Sequence, residues 1–385
     1  MRRAPVDVPE RDARGADEGE MPRARITRRT AIALGVFAVA VVAFLYVVLP
    51  RIAGLDETLQ HVREADPAFL ALCLLFELLS FGGYVWLFRA VYVRGGTLID
   101  WRASYLITMA GLAATRLFAA AGAGGAALTA WALRRSGMEP RTVATRMVAQ
   151  YVLVYGVYMG SLVLFGLALR AGLLSGPSTV ALTVVPAVFG LTVIVIFLAS
   201  MLVPAAIDHR LERWARGSGR PARMLARASK APAAISEGTR EALRIVRARE
   251  WGLLGAVAWW YFDILTLWAA FLAFGDPPPF GVLVLAYFVG MLGNLLPLPG
   301  GIGGVDGGMI GALIAFGVPA SLAIVAVLTY RAFAFWLPTI PGVFAYLQLR
   351  RTVQRWRANG DRPGPWPSGE DRARDSVVRS RYYTK

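Results

Sequence analysis

The chain has 385 residues, 56% of them hydrophobic and only 17% charged, with a formal charge of +16. The apolar residues fall in blocks too long for a soluble core, which excludes an ordinary globular enzyme. The arginines lie in short segments beside those blocks, so the charge reads as membrane topology and attraction to anionic lipid at the cytoplasmic face, with no nucleic-acid partner.

In chain order, Met1–Arg29 mixes eight arginines with six acids and predicts a disordered cytoplasmic tail over residues 1–29. A polytopic membrane domain is expected over 30–351, followed by a second disordered cytoplasmic tail over 352–385. The first apolar block, Ala31–Leu49, is longer than the apolar region of a secretory signal and ends without a small-residue cleavage site. It reads as an uncleaved anchor. Further spans are expected at Ala68–Val93, Ala144–Leu169, Val180–Val203, Trp251–Phe274 and Ala320–Leu347, each close to or above the roughly 20 residues that cross about 30 Å of hydrocarbon. Gly156 and Gly160 form a GxxxG pair that predicts close helix packing. Trp259, Trp260 and Tyr261 read as packing or interfacial side chains. The basic loop over 204–250 has eleven Lys/Arg against five acids, and Arg210–Arg249 is spaced like an amphipathic element lying on anionic lipid.

Two apolar segments, Ser104–Leu133 and Phe280–Gly317, are interrupted by glycine. Gly122, Gly124 and Gly125 break the first. The stretch PLPGGIGGVDGG, Pro297–Gly308, breaks the second with six glycines and two prolines. Proline removes a backbone donor and glycine weakens a helix, so each segment predicts a hairpin that enters the membrane and returns. With that reading every strongly basic loop faces one side, as the positive-inside rule requires. The fold class expected is therefore all-α integral membrane, with six full transmembrane helices, two re-entrant hairpins in an inverted repeat, and both termini cytoplasmic at the plasma membrane.

Glu77, Arg116, Asp263 and Arg331 fall within apolar surroundings, where each charge costs at least about 2.5 kcal/mol and needs a partner or water. They read either as a polar track that grips a lipid head group or as buried pairs, such as Asp263 with Arg331, that fix packing. Asp306, within the glycine-rich break, reads as a cap for the following half-helix or as a ligand for a cation or proton. Asn294 lines the same cavity or pairs with freed backbone. The two histidines and single cysteine offer no metal cluster, no phosphate-binding glycine motif occurs, and no cofactor is expected.

The stretch PLPGGIGGVDGG, followed by GALIAFGVPASLAIVAVLTYRAFAFWLPTIPG over 311–342, resembles the lysylphosphatidylglycerol synthase transmembrane-region family of flippase-like proteins. The resemblance carries Gly300, Gly301, Gly303, Asp306, Tyr330 and Arg331 as family-like positions. It implies movement of a phospholipid or lipid-linked substrate, aminoacylated or glycosylated, between leaflets. Only 34 residues follow Arg351, so no synthase domain and no lysyl transfer are expected. The family usually has Glu where Asp306 stands, and the first hairpin, LFAAAGAGGAA, lacks proline. A membrane enzyme or enzyme partner in lipid glycosylation, and a scaffold acting through the basic loop, remain as other readings.

Overall fold

The computed structural model describes residues 65–93, 99–117, 123–201, 231–295, 301 and 303–358. The span expected at Ala31–Leu49, most of both tails, and Gly300 lie outside these residues. Eleven helices account for the described structure: α1 Pro67–Tyr92, α2 Trp101–Leu117, α3 Ala123–Arg135, α4 Pro140–Arg170, α5 Val180–Ser200, α6 Ala231–Arg247, α7 Leu254–Phe274, α8 Phe280–Met291, α9 Gly304–Ala315, α10 Ala320–Arg331 and α11 Leu337–Ala358. One turn of π-helix, Ala332–Trp336, joins α10 to α11.

Five helical stretches are long and apolar enough to cross a membrane: Pro67–Tyr92, Pro140–Arg170, Val180–Ser200, Trp251–Phe274 and Ala320–Trp356. Six were expected, and the sixth lies outside the described residues. The last stretch runs past its expected end at Leu347, because the π turn carries α10 into α11 without a break.

Helices α1 and α7 pack antiparallel along their whole length. Asp66 N–H donates to Ala273 O, Cys73 Sγ to Thr266 O and Ser80 Oγ to Trp259 O, which fixes the register. The crossing is made by two glycines: a Cβ on Gly255 would stand 2.3 Å from Gly83 O, and one on Gly83 would stand 2.6 Å from Ala258 Cβ. Ridges formed by side chains cannot come this close, so backbone meets backbone, as small residues permit between apolar helices.

The two interrupted segments each form a pair of short antiparallel helices. In the first, Gly111 and Thr115 of α2 meet Thr129 and Gly125 of α3. The sequence placed the break at Gly122–Gly125, but Gly124 and Gly125 lie inside α3. Their lack of a side chain serves the approach of the two arms, since a Cβ on Gly125 would stand 2.3 Å from Gly111 O. In the second pair, Gly293, just beyond α8, backs onto Gly304 at the start of α9. The break expected over Pro297–Gly308 is correspondingly shorter, since Gly304, Gly307 and Gly308 are helical. At 12 residues each, α8 and α9 are about 18 Å long, well short of the hydrocarbon thickness.

The arms do not pack only within their own half of the chain. Helix α2 lies against α11, and α8 lies against α4. Elsewhere, α4 and α5 pair through Gly166, whose Cβ would meet Thr183 O at 2.5 Å. The expected GxxxG contact is absent: among the described residues nothing comes within 4 Å of a Cβ built on Gly156 or Gly160. Trp260 packs as expected, buried with its indole N–H donating to Val154 O at 2.7 Å.

The amphipathic element is realised in part as α6, which packs on α4. Arg141 donates to Glu237 and holds that carboxyl below its ordinary range, with Thr145 adding a weaker hydrogen bond. A depressed carboxyl contributes stability above the ordinary Glu value of about 4.3 and loses it as pH falls through the lower folded value. Hydrogen exchange of Ala231–Arg247, corrected for intrinsic rate, is expected to lose protection only in that acid window. The Glu237→Gln protein should show no such step.

Candidate functional site

Five helices, α1, α2, α7, α9 and α10, bring the ionisable residues together. Asp306 lies in the first turn of α9, after Gly301 and Gly303, whose φ values of 67° and 82° are readily adopted only by glycine. One carboxylate oxygen, Oδ2, accepts from Gly303 N–H at 2.9 Å, closing the helix start. The other, Oδ1, forms an ion pair with Arg331 Nε at 2.5 Å and has no other bonding partner. The geometry there is a close charge contact and not an aligned hydrogen bond. Both sequence readings of Asp306 therefore meet in one residue: it caps, and it binds a cation, which is this chain's own Arg331. The pair is shut away, with side chains 6% and 11% exposed. Asp306 also suits its position, an acid in the first turn of a helix.

Asp263 of α7 does not pair with Arg331. Its Oδ2 accepts from two hydroxyls, Tyr287 of α8 and Tyr330 of α10, the latter at 2.8 Å. Glu77 of α1 is buried beside it, accepting from Thr266 Oγ1 at 3.3 Å. Thr266, three residues after Asp263 on α7, ties Glu77 to the same part of that helix, so the α1–α7 crossing carries a buried acid from each side.

Arg116, near the end of α2, reaches into the other half of the chain. Its Nη2 donates to Ala334 O at 2.8 Å and its Nη1 to Phe335 O at 3.1 Å. The carbonyl of Ala334 is available because Pro338, four residues on, has no N–H to offer it. The π turn here, like others of its kind, lies at a place where the helix ladder is opened for a ligand or side chain. The ring of Phe335 lies near both arginines, its centroid 5.3 Å from Arg116 Cζ and 4.6 Å from Arg331 Cζ. An aromatic face offers a guanidinium a weak negative potential.

Of the residues expected from sequence, Glu77, Arg116, Asp263, Asp306, Tyr330 and Arg331 converge. Asn294 does not join them: it is exposed, and its side chain lies against Gly301 and Met291. Gly301 and Gly303 shape the turn before Asp306, whereas Gly300 falls outside the described residues. Sequence reasoning missed Tyr287, Thr266 and the Ala334–Phe335 carbonyls. For Tyr287 the signal was present, as the one hydroxyl in the wholly apolar run Phe280–Met291.

Removing one tyrosine hydroxyl leaves part of a buried carboxyl without a donor, worth about 1–3 kcal/mol. Tyr287→Phe and Tyr330→Phe are each expected to lower thermal stability in detergent, and the double variant by less than the sum, because both hydroxyls serve one oxygen.

Antiparallel apolar spans, short paired helices and a buried network of five charges define a polytopic α-helical membrane protein with a polar centre. The chain belongs to the family described as lysylphosphatidylglycerol synthase TM region, whose pattern matches residues 32–342. It is also similar to a UPF0104 membrane protein of Methanothermobacter thermautotrophicus, 34% identical over 84 residues, or 22% of this chain and 25% of that one. A UPF0104 membrane protein of Methanocaldococcus jannaschii is 34% identical over 95 residues, 24% of this chain and 28% of its own. The chain thus spans about a quarter of the length of the curated relatives it matches.

Proposed function

We propose that the protein translocates a lipid or lipid-linked substrate with an anionic head group between leaflets of the plasma membrane, as a flippase-like transporter and not as a lysyltransferase. The single observation that carries this reading is the buried Arg331–Asp306 pair at the tip of a short helical pair, next to a second guanidinium held by backbone. A phosphate offers two or more oxygens to a planar guanidinium fork, a stronger and more specific match than the single Asp306 oxygen set against Nε. Asp306 then acts as an internal stand-in for the head group: phosphate takes its place on Arg331, and the short pair α8–α9 moves with the carboxylate.

The packing pattern supports the same reading. Exchanging α1, α2, α3 and α4 for α7, α8, α9 and the α10–α11 helix turns each contact into another contact: α2 with α11 becomes α8 with α4, and α3 with α4 becomes α9 with α10. We read this as an inverted repeat with the helical pairs re-entering from opposite faces, the arrangement that places a site near the midplane. Both termini are then cytoplasmic, and α6 lies on anionic lipid.

The test is reconstitution in vesicles of the purified chain with tail-labelled anionic lipids, following access to an outside reducing agent, together with mass spectrometry of copurified lipid. Transbilayer movement above that of protein-free vesicles is expected. Formation of a modified lipid by the purified chain, with no movement, would overturn the reading in favour of an enzyme.

A further inference from the structure

The buried network does not balance in charge. Three acids, Glu77, Asp263 and Asp306, face two bases, Arg116 and Arg331, so with every group ionised one negative charge is left over among the described residues. A surplus charge away from water is costly, and the simplest neutralisation is one proton. Asp306 is set against Arg331, and Asp263 receives two tyrosine hydroxyls on one oxygen, an arrangement that suits a carboxylate. Arg116 is held by two carbonyls. The group that remains is Glu77, in the middle of α1, 2% exposed and with no ion pair among the described residues.

The hydroxyl of Thr266 locates that proton. It has one hydrogen and two neighbours, Phe262 O at 3.0 Å and Glu77 Oε2 at 3.3 Å. Six other threonines in the described helices donate to the carbonyl four residues earlier, and Phe262 O, the nearer of the two neighbours, can only accept. An ionised Glu77 has to share that one hydrogen. As an acid it brings its own, donating to Thr266 Oγ1 while Thr266 donates to Phe262 O, and both contacts are satisfied. The titratable groups that bear on Glu77 are Cys73 of α1, Asp263 of α7, Arg116 of α2 and Tyr330 of α10. None offers it a hydrogen: Cys73 donates to Thr266 O, Tyr330 to Asp263 and Arg116 to the carbonyls of Ala334 and Phe335.

We infer that Glu77 is a proton-binding site, occupied in this arrangement, and that its proton travels with the anionic head group. The coupling rests on the transport reading, whereas the proton on Glu77 does not. A singly charged phosphate that takes the place of Asp306 on Arg331 replaces one negative charge with another, so the network stays balanced while Glu77 keeps its proton. Transfer of that proton from the Glu77 carboxyl to water leaves a carboxylate and a hydronium ion, and the network then holds one negative charge too many. The phosphate is repelled. Loading therefore requires the proton and unloading follows its loss, which ties one proton to one head group moving in the same direction.

Infrared spectroscopy of the full chain near neutral pH, in a maltoside detergent that has no carbonyl of its own, reads the proton directly. A carboxylic-acid carbonyl band is expected. It should shift when the chain is made by cell-free synthesis with 13C-carboxyl glutamate, and it should be missing from Glu77→Gln, whose amide keeps the uncharged form and should keep the thermal stability. Absence of the band, a band that glutamate labelling leaves in place, or one that survives in Glu77→Gln would overturn the site; the labelling result needs no variant. The coupling is read in vesicles with tail-labelled phosphatidylglycerol and the membrane potential clamped. One proton per head group gives up to about tenfold accumulation on the alkaline side for each pH unit, reversing with the gradient and lost in Glu77→Gln. Movement that ignores the gradient would overturn the coupling. A glutamate acid band in a protein that moves no lipid in any gradient would uphold the proton on Glu77 and defeat the transport reading together with its coupling.

Discussion

Replacing Arg331 with alanine is expected to abolish transbilayer movement of lipid and to cost about 3–5 kcal/mol of stability, because it strands a buried carboxylate. Asp306 has its second oxygen on Gly303 N–H and would keep its place at the helix start, but Oδ1 would be left with no counter-charge. The two consequences separate in the double variant. Arg331→Ala with Asp306→Ala removes both charges, so stability should recover in large part while movement remains absent, since no guanidinium is left there to take the head group. Arg331→Lys keeps the charge but not the planar fork, and should hold the fold better than alanine while transporting poorly. Thermal unfolding in detergent and vesicle assays on the same four proteins make the comparison. Transport by the Arg331→Ala protein at the wild-type rate would refute the assignment of this pair.

The second large effect is expected at the crossing of α1 and α7. Gly255→Val places a branched side chain where a single Cβ would already lie 2.3 Å from Gly83 O and 2.7 Å from Leu87 N, both backbone atoms. Overpacking typically costs about 1–3 kcal/mol, and more where backbone must shift. Because Glu77 and Asp263 ride on these two helices, separating them also parts the carboxyls. Loss of folded protein, or a fold with impaired transport, is the expected outcome. Gly82 provides the control: it is adjacent to Gly83, exposed, and a Cβ there would have nothing within 4 Å, so Gly82→Ala should be neutral or gain up to about 1 kcal/mol from helix propensity. A similar response at both positions would show that close approach is not what the glycine at the crossing provides.

Much of the architecture follows from hydropathy because an apolar block of about 20 residues has few alternatives in a bilayer. The two short helical pairs were legible for the same reason, each being an apolar segment that glycine divides. What composition could not give was the purpose of each glycine. Gly124, Gly125, Gly304, Gly307 and Gly308 suggest breaks when read locally, yet they are helical, and several of them face another backbone. The reverse holds for Gly156 and Gly160, where a packing motif meets no neighbour among the described residues. Charged residues were easy to nominate, since each is an anomaly in its surroundings, but their partners depend on which helix turns face one another. Thus Asp263 found two tyrosines, and Arg331 found Asp306. The dock of Arg116 was half legible, because Pro338 announces a freed carbonyl at Ala334 without saying which donor 218 residues away will use it.

That last separation has a consequence for biogenesis. Chains emerge from the ribosome at about 5–20 residues per second, so Arg116 precedes the carbonyls that satisfy it by roughly 10–45 s. During that interval its guanidinium must stay with water, head groups or the insertion machinery, because a lone arginine in hydrocarbon is costly. The first helical pair therefore cannot take up its final seat until the last membrane helix has been made. Truncation before Ala334 should leave an early half that inserts but does not mature, and quality-control proteases that recognise exposed intramembrane charge would be able to tell the finished protein from the unfinished one.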